Sequence, residues 1–237
     1  MRIAMWSGPR NLSTAMMYAF AARGDCAVVD EPFYAAYLEK TGLAHPMRDD
    51  ILAAQSRDPG AVVEEICGSI PGGFPNFYQK HMTQHMIEGV PRDWMRGVQN
   101  VFLIRHPARV IASYAAKREN PVLDDIGFRQ QAELFDLVRG WGQRPVVIDS
   151  HDIRADPRAA LEGLCDAIGL EFTARMLTWP SGGHPDDGVW APHWYGAVWQ
   201  STGFAAPEGP LPQVPTDLQP VLETAMPYYE RMMAEKL

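Results

Sequence analysis

Short apolar runs alternate with segments of helical period along most of this chain. Residues 2–7 read as a buried strand, apolar except at its two ends. Helical periodicity follows over 12–23, and a second strand over 26–30 runs into Asp30-Glu31-Pro32-Phe33. A short helix is predicted over 34–40. Asp58-Pro59 opens another over 61–70, with proline in the first turn, where its missing N–H costs nothing. A turn over 71–74 and a third strand over 77–81 come next. The clearest strand of all is 100–105, after which Pro107 starts a helix predicted to reach about residue 118. A longer amphipathic helix over 127–140 follows, then a fifth strand over 145–149 and a helix over 158–168 opened by Asp156-Pro157. Strands alternating with helices predict βαβ units, and hence a three-layer α/β/α fold around a mostly parallel sheet.

From 179 to 215 the periodicity dissolves into a stretch rich in Gly, Pro, Trp and His. Its four tryptophans, Trp179, Trp190, Trp194 and Trp199, argue against simple disorder and for a functional segment. A closing helix is expected over 217–237. With no internal repeat and no dividing linker, the chain reads as one domain over 1–237.

Composition narrows the classes. A length of 237 residues suits one large α/β domain, and a 46% hydrophobic share is enough for an ordinary core. No run approaches the ~18 apolar residues of a membrane span, and the start lacks a secretory pattern. The expectation is a cytoplasmic protein with no membrane span. The net charge of −8 argues against broad binding to nucleic acid, so any anionic ligand must be gripped by local positive groups. Cys26, Cys67 and Cys165 lack C-x-x-C spacing, which argues against zinc and disulfides and for buried thiols.

The chemistry concentrates where the first strand meets the first helix, at Gly8-Pro9-Arg10-Asn11-Leu12-Ser13-Thr14. A tight loop there presents backbone N–H groups and the positive end of a helix dipole to one small volume. Arg10 adds a fixed charge, and Ser13 and Thr14 add hydroxyl donors. The second glycine and the lysine of the Walker A pattern are missing from their places, which weakens an ATPase reading. A second grip is expected at Arg105, at the carboxyl end of the best strand, where open α/β sheets bind ligands. Ser113, eight residues on, faces roughly the same side as Arg105 and Arg109.

These two motifs, in this order, resemble the sulfotransferase family that uses 3′-phosphoadenosine 5′-phosphosulfate. The family loop P-[KR]-[SA]-G-[ST]-[ST] aligns with Pro9-Arg10-Asn11-Leu12-Ser13-Thr14, with Asn11-Leu12 standing where a small residue and glycine are usual. The phrase Ile104-Arg105-His106-Pro107-x-x-Val110-x-Ala112-Ser113-Tyr114 is close to the second family motif. The resemblance implies a P-loop NTPase-like fold. It further implies a loop holding the 5′-phosphosulfate, and Arg105 with Ser113 holding the 3′-phosphate. Arg10 would stabilise the leaving group, and no metal would be needed. The family's adenine-stacking aromatic is Ala15 here, so Trp190 or Trp194 is a candidate substitute.

Sulfuryl transfer to a hydroxyl or amine needs a general base. Glu31, after the second strand, resembles a glutamate base of bacterial members. His81, ending the third strand, resembles the histidine of a K-x-H segment, although Lys80 and His81 are adjacent here. Glu31 is favoured for its reach, and Lys80 is expected to contact the transferred group. His184, Asp186, Asp187 and His193 lack metal-ligand spacing and read better as part of a lid or acceptor-binding segment. The acceptor is expected to be a small molecule with an apolar or ring portion. Two other readings stand beside this one: a P-loop kinase acting on a small molecule, and a nucleotide-binding domain that has lost its chemistry.

Overall fold

A computed structural model describes residues 1–115 and 121–237. Among these residues the chain forms five strands: β1 (Arg2–Ser7), β2 (Cys26–Asp30), β3 (Asn76–Met82), β4 (Gln99–Ile104) and β5 (Val146–Asp149). All neighbouring pairs are parallel, in the order β2-β3-β1-β4-β5. The helices begin with α1 (Ser13–Ala21), α2 (Tyr34–Thr41), α3 (Arg48–Ala54), α4 (Pro59–Cys67) and α5 (Pro107–Ala115). They continue with α6 (Leu123–Ile126), α7 (Phe128–Gly140), α8 (Ser150–Ala155) and α9 (Pro157–Ile168). Short helices α10 (Ala191–Trp194) and α11 (Gly196–Trp199) precede the closing α12 (Gln219–Met233). The three-layer α/β/α expectation is met.

The sheet is buried on both faces, and alternate residues of each strand feed two separate cores. Ile3 and Met5 pack with α1 and α9 through Met16, Phe20, Leu161 and Leu164. Ala4 and Trp6 point the other way, into a core with α5, α7 and α12 that includes Val110, Leu134, Phe135 and Met232. Thus α1, which follows β1, lies on one face, and α5, which follows β4, lies on the other. The crevice between the carboxyl ends of β1 and β4 is therefore a topological switch point. Gln131 of α7 closes its floor, donating to the carbonyls of Trp6 (3.2 Å) and Leu103 (2.9 Å).

Helix starts follow local chemistry. Asp58 accepts from the Gly60 N–H and Asp156 from the Ala159 N–H, each with proline at the first helical position. Three helices before residue 179 escape the periodicity reading: α3 buries only Ile51 and Leu52, α6 has four residues and buries only Ile126, and α8 has six residues capped directly by the end of β5. The predicted end of the helix near residue 118 lies outside the described residues. Within 179–215 the only helices are α10 and α11, and the rest of the stretch is irregular as expected. Cys26 and Cys165 are buried as expected, but Cys67 is exposed because it ends α4 on the solvent side. No described helix is long and apolar enough to cross a membrane.

Candidate active site

The loop leaving β1 crosses the switch point and enters α1 without a side-chain cap. The first-turn N–H groups of α1 have no intrahelical acceptor, so they remain donors toward the crevice. Arg10 and Leu12 both hold left-handed backbone, at φ 62° and 73°. That conformation is unfavourable for a residue with a Cβ and is typical of tight functional loops. Buried Asn11 anchors the loop by donating to the Leu103 carbonyl at 3.2 Å, beside the Gln131 bond to the same oxygen. Gly8 is needed by packing: a Cβ there would collide with the Ile126 carbonyl of α6. The Arg10 guanidinium lies 5.4 Å from the Trp194 ring centre. Burial, with the Arg105 charge nearby, lowers its pKa from the usual 12.5.

At the ends of β2 and β3 lies a buried cluster of charges. Lys80 Nζ donates to Asp30 Oδ1 (2.8 Å), Glu31 Oε1 (2.8 Å) and the Tyr195 hydroxyl (2.5 Å), which engages all three of its N–H bonds. The Tyr195 hydroxyl also accepts from Trp190 Nε1 (3.0 Å) and donates to Asp30 Oδ2 (2.8 Å). Glu31 has left-handed backbone too, at φ 41°. Gln55, just beyond α3, fixes that corner by donating to the Glu31 carbonyl and accepting from the Ala35 N–H. Burial pushes the Glu31 carboxyl above its usual 4.5, with Lys80 opposing the shift. For Lys80, burial alone would lower the pKa, but the Asp30 and Glu31 carboxylates raise it above 10.5. His85 Nε2 lies 4.0 Å from Glu31 Oε2, sandwiched between Tyr34 and Tyr37. Burial holds His85 well below 6.5, so it faces Glu31 as a neutral imidazole rather than as an ion-pair partner.

Arg105 reaches back across the switch point and donates to the Arg10 carbonyl at 2.6 Å. It also pairs with Glu208 of the irregular segment at 2.5 Å. Arg109 and Arg154 meet the same carboxylate, each at 2.9 Å.

A cavity of about 350 Å³ joins these parts. It is lined by the loop from Pro9 to Thr14, by Glu31 and Lys80, by Arg105 and Ser113, and by Trp190. A volume of this size falls in the range of small-molecule sites. Trp190 lines the cavity but is almost fully buried. It is 1% exposed, packs edge-on against Tyr34 and braces Tyr195, which places it at the Lys80 end. His81 is not brought to the cavity. Its ring stacks on Trp6 at 4.5 Å and bonds to Gln79, on the opposite face of β3 from Lys80. Burial brings its pKa down to about 3. Sequence reasoning missed Tyr195, His85, Arg154 and Glu208. Of these, Tyr195 had a signal, because it sits in the same Trp-rich phrase as Trp190.

Elsewhere, Asp187 is committed to the Tyr18 hydroxyl, the Trp199 N–H and the His184 N–H. That cluster pins the irregular segment to α1. Among the described residues, no group of His, Cys, Asp and Glu is placed to hold a metal ion.

Comparison with known proteins places this geometry. The solved structure of the sulfotransferase from Alicyclobacillus acidocaldarius shares the fold with a TM-score of 0.58 at 12% identity, over 98% of this chain and 94% of that one. The sulfotransferase domain of the Synechococcus PCC 7002 olefin synthase does so with a TM-score of 0.51 at 20% identity, over 94% of each chain. The chain therefore shares the fold of these sulfotransferase structures. In Arabidopsis thaliana, the branched-chain-amino-acid aminotransferase-like proteins 1 and 2 are 37% and 35% identical to this chain over 96% of its length. The chain spans only 40% of the length of each of these relatives. The sequence model of the sulfotransferase domain matches residues 1–236. The match runs over all but the last residue of a chain folded around a parallel sheet, and so the chain belongs to the sulfotransferase domain family.

Proposed function

We propose that this domain moves a sulfuryl group from 3′-phosphoadenosine 5′-phosphosulfate to a hydroxyl or amine of a small-molecule acceptor, with Glu31 as the base. The observation that carries this reading is the convergence on one cavity of an uncapped helix N-terminus, Arg10, Arg105 with Ser113, and the Glu31–Lys80 pair. In this assignment the loop from Pro9 to Thr14 holds the 5′-phosphosulfate through its N–H groups and the Ser13 and Thr14 hydroxyls. Arg10 neutralises charge on the departing phosphate, where a positioned cation does most for the transition state. Arg105 and Ser113 hold the 3′-phosphate.

Glu31 takes the acceptor proton. Burial raises its pKa, which makes it a stronger base than an ordinary carboxylate, and Lys80 favours its ionised form. Lys80 acts on Glu31 as a positioning group, because its three N–H bonds are already engaged. Trp190 braces Tyr195 rather than offering a free face to adenine. His81, neutral and on the far side of the sheet, supports the core.

The test is turnover. The donor is incubated with separate phenol, sugar and amine acceptors, and release of adenosine 3′,5′-bisphosphate is followed with detection of the sulfated acceptor. Acceptor-dependent release is the expected result. Phosphorylated acceptor from ATP–Mg²⁺, with no reaction of the phosphosulfate, would overturn the proposal.

A further inference from the structure

Three arginines from three elements converge on one carboxylate. Arg105 follows β4, Arg109 lies in α5 and Arg154 in α8, and Glu208 comes from the irregular segment. The Glu208 side chain is 2% exposed. Its Oε1 accepts from Arg105 Nη2 (2.5 Å) and Nε (3.1 Å) and from Arg154 Nη1 (2.9 Å). Arg109 Nε stands 2.9 Å from Oε2 but out of line, and among the described residues this buried oxygen has no hydrogen-bond donor. One planar carboxylate therefore sits among three guanidiniums, with an excess of positive charge and one oxygen poorly matched. A tetrahedral phosphate brings three terminal oxygens and up to two charges, which suits this set better.

The cluster is also connected to the main cavity, since Arg105 lines it and bonds to the Arg10 carbonyl. Apart from Glu208 itself, the strap meets these arginines through carbonyls: Arg154 donates to the Ala206 carbonyl and Arg109 to that of Gly209. Between Phe204 and Pro215 the strap contains neither helix nor strand.

We propose that Arg105, Arg109 and Arg154 form one phosphate cradle, and that Glu208 is its resident anion, which the 3′-phosphate of the bound nucleotide replaces. This rests on the donor reading given above. Glu208 then lowers affinity only for nucleotides that carry a 3′-phosphate, and by returning to the cradle it eases release of the bisphosphate product.

Calorimetric titration at constant ionic strength tests this, using adenosine 3′,5′-bisphosphate, adenosine 5′-monophosphate and inorganic phosphate. Glu208→Gln should tighten the bisphosphate about tenfold, the factor expected if the cradle is closed nine-tenths of the time. Inorganic phosphate should tighten as well, and the 5′-monophosphate should not change. Glu208→Asp, which keeps the charge but shortens the reach, should fall between wild type and Glu208→Gln, and it decides the matter if Glu208→Gln does not fold. Weaker bisphosphate and phosphate binding in these variants would make Glu208 a scaffold for the arginines and overturn the proposal, as would an equal change for both nucleotides. Tighter phosphate with no bisphosphate binding in any variant would uphold the cradle and reject the donor reading instead.

Discussion

Glu31→Gln is expected to lower kcat by about 10²–10⁴-fold, the usual contribution of a positioned general base. The change keeps the side chain's shape and leaves an amide oxygen for the Lys80 contact, so the loss reflects proton transfer rather than collapse of the cluster. The pH dependence follows from the sign of the shift. A base works only when ionised, and burial raises the Glu31 pKa above 4.5. The rate should therefore fall on the acid side as pH drops through a value above 4.5, and level off at higher pH. His81 cannot produce that limb, because at about 3 its pKa leaves it neutral throughout the working range. An unchanged acid limb in Glu31→Gln, with turnover retained, would remove Glu31 from the mechanism.

Lys80→Met should be the most damaging single change to stability. Lys80 and Asp30 side chains are each 1% exposed and that of Glu31 is 11% exposed, so water does little to solvate these charges. Removing the cation leaves two neighbouring buried carboxylates with no compensating charge. Breaking a buried ion pair in this one-sided way costs roughly 3–5 kcal/mol. For a domain of this size that corresponds to a fall in Tm of about 10 °C. Thermal unfolding at pH 7 measures it, and a shift no larger than that of an exposed ion-pair mutation, below about 1 kcal/mol, would mean that the cluster is solvated. The destabilisation should shrink at lower pH, where Glu31, with its raised pKa, takes up a proton and removes one of the unpaired charges.

How much of this was legible in the sequence depends on how far apart the partners lie. The five strands were readable because parallel strands buried on both faces appear as nearly unbroken apolar runs. The positions of the loop after β1 and of Arg105 after β4 were readable because strand ends and helix starts are local features. The Lys80–Tyr195 bond spans 115 residues and the Arg105–Glu208 pair 103, and no periodicity encodes such meetings. His81 is a different case. Adjacent residues of a strand point to opposite faces, so Lys80 and His81 could not both serve one cavity. At the Asn11-Leu12 departure from the family loop, buried Asn11 bonds to the Leu103 carbonyl. Leu12 takes a left-handed conformation suited to glycine, at a cost of about 1–2 kcal/mol, partly offset by its packing against the α1 core.

The most direct test of the central claim is a calorimetric titration of the wild-type domain with adenosine 3′,5′-bisphosphate beside ATP–Mg²⁺, repeated with Arg105→Ala. Binding of the bisphosphate in preference to ATP–Mg²⁺, raising Tm with concentration and weakened in Arg105→Ala, is the predicted result. Binding of ATP–Mg²⁺ alone, or bisphosphate binding indifferent to Arg105, would contradict it.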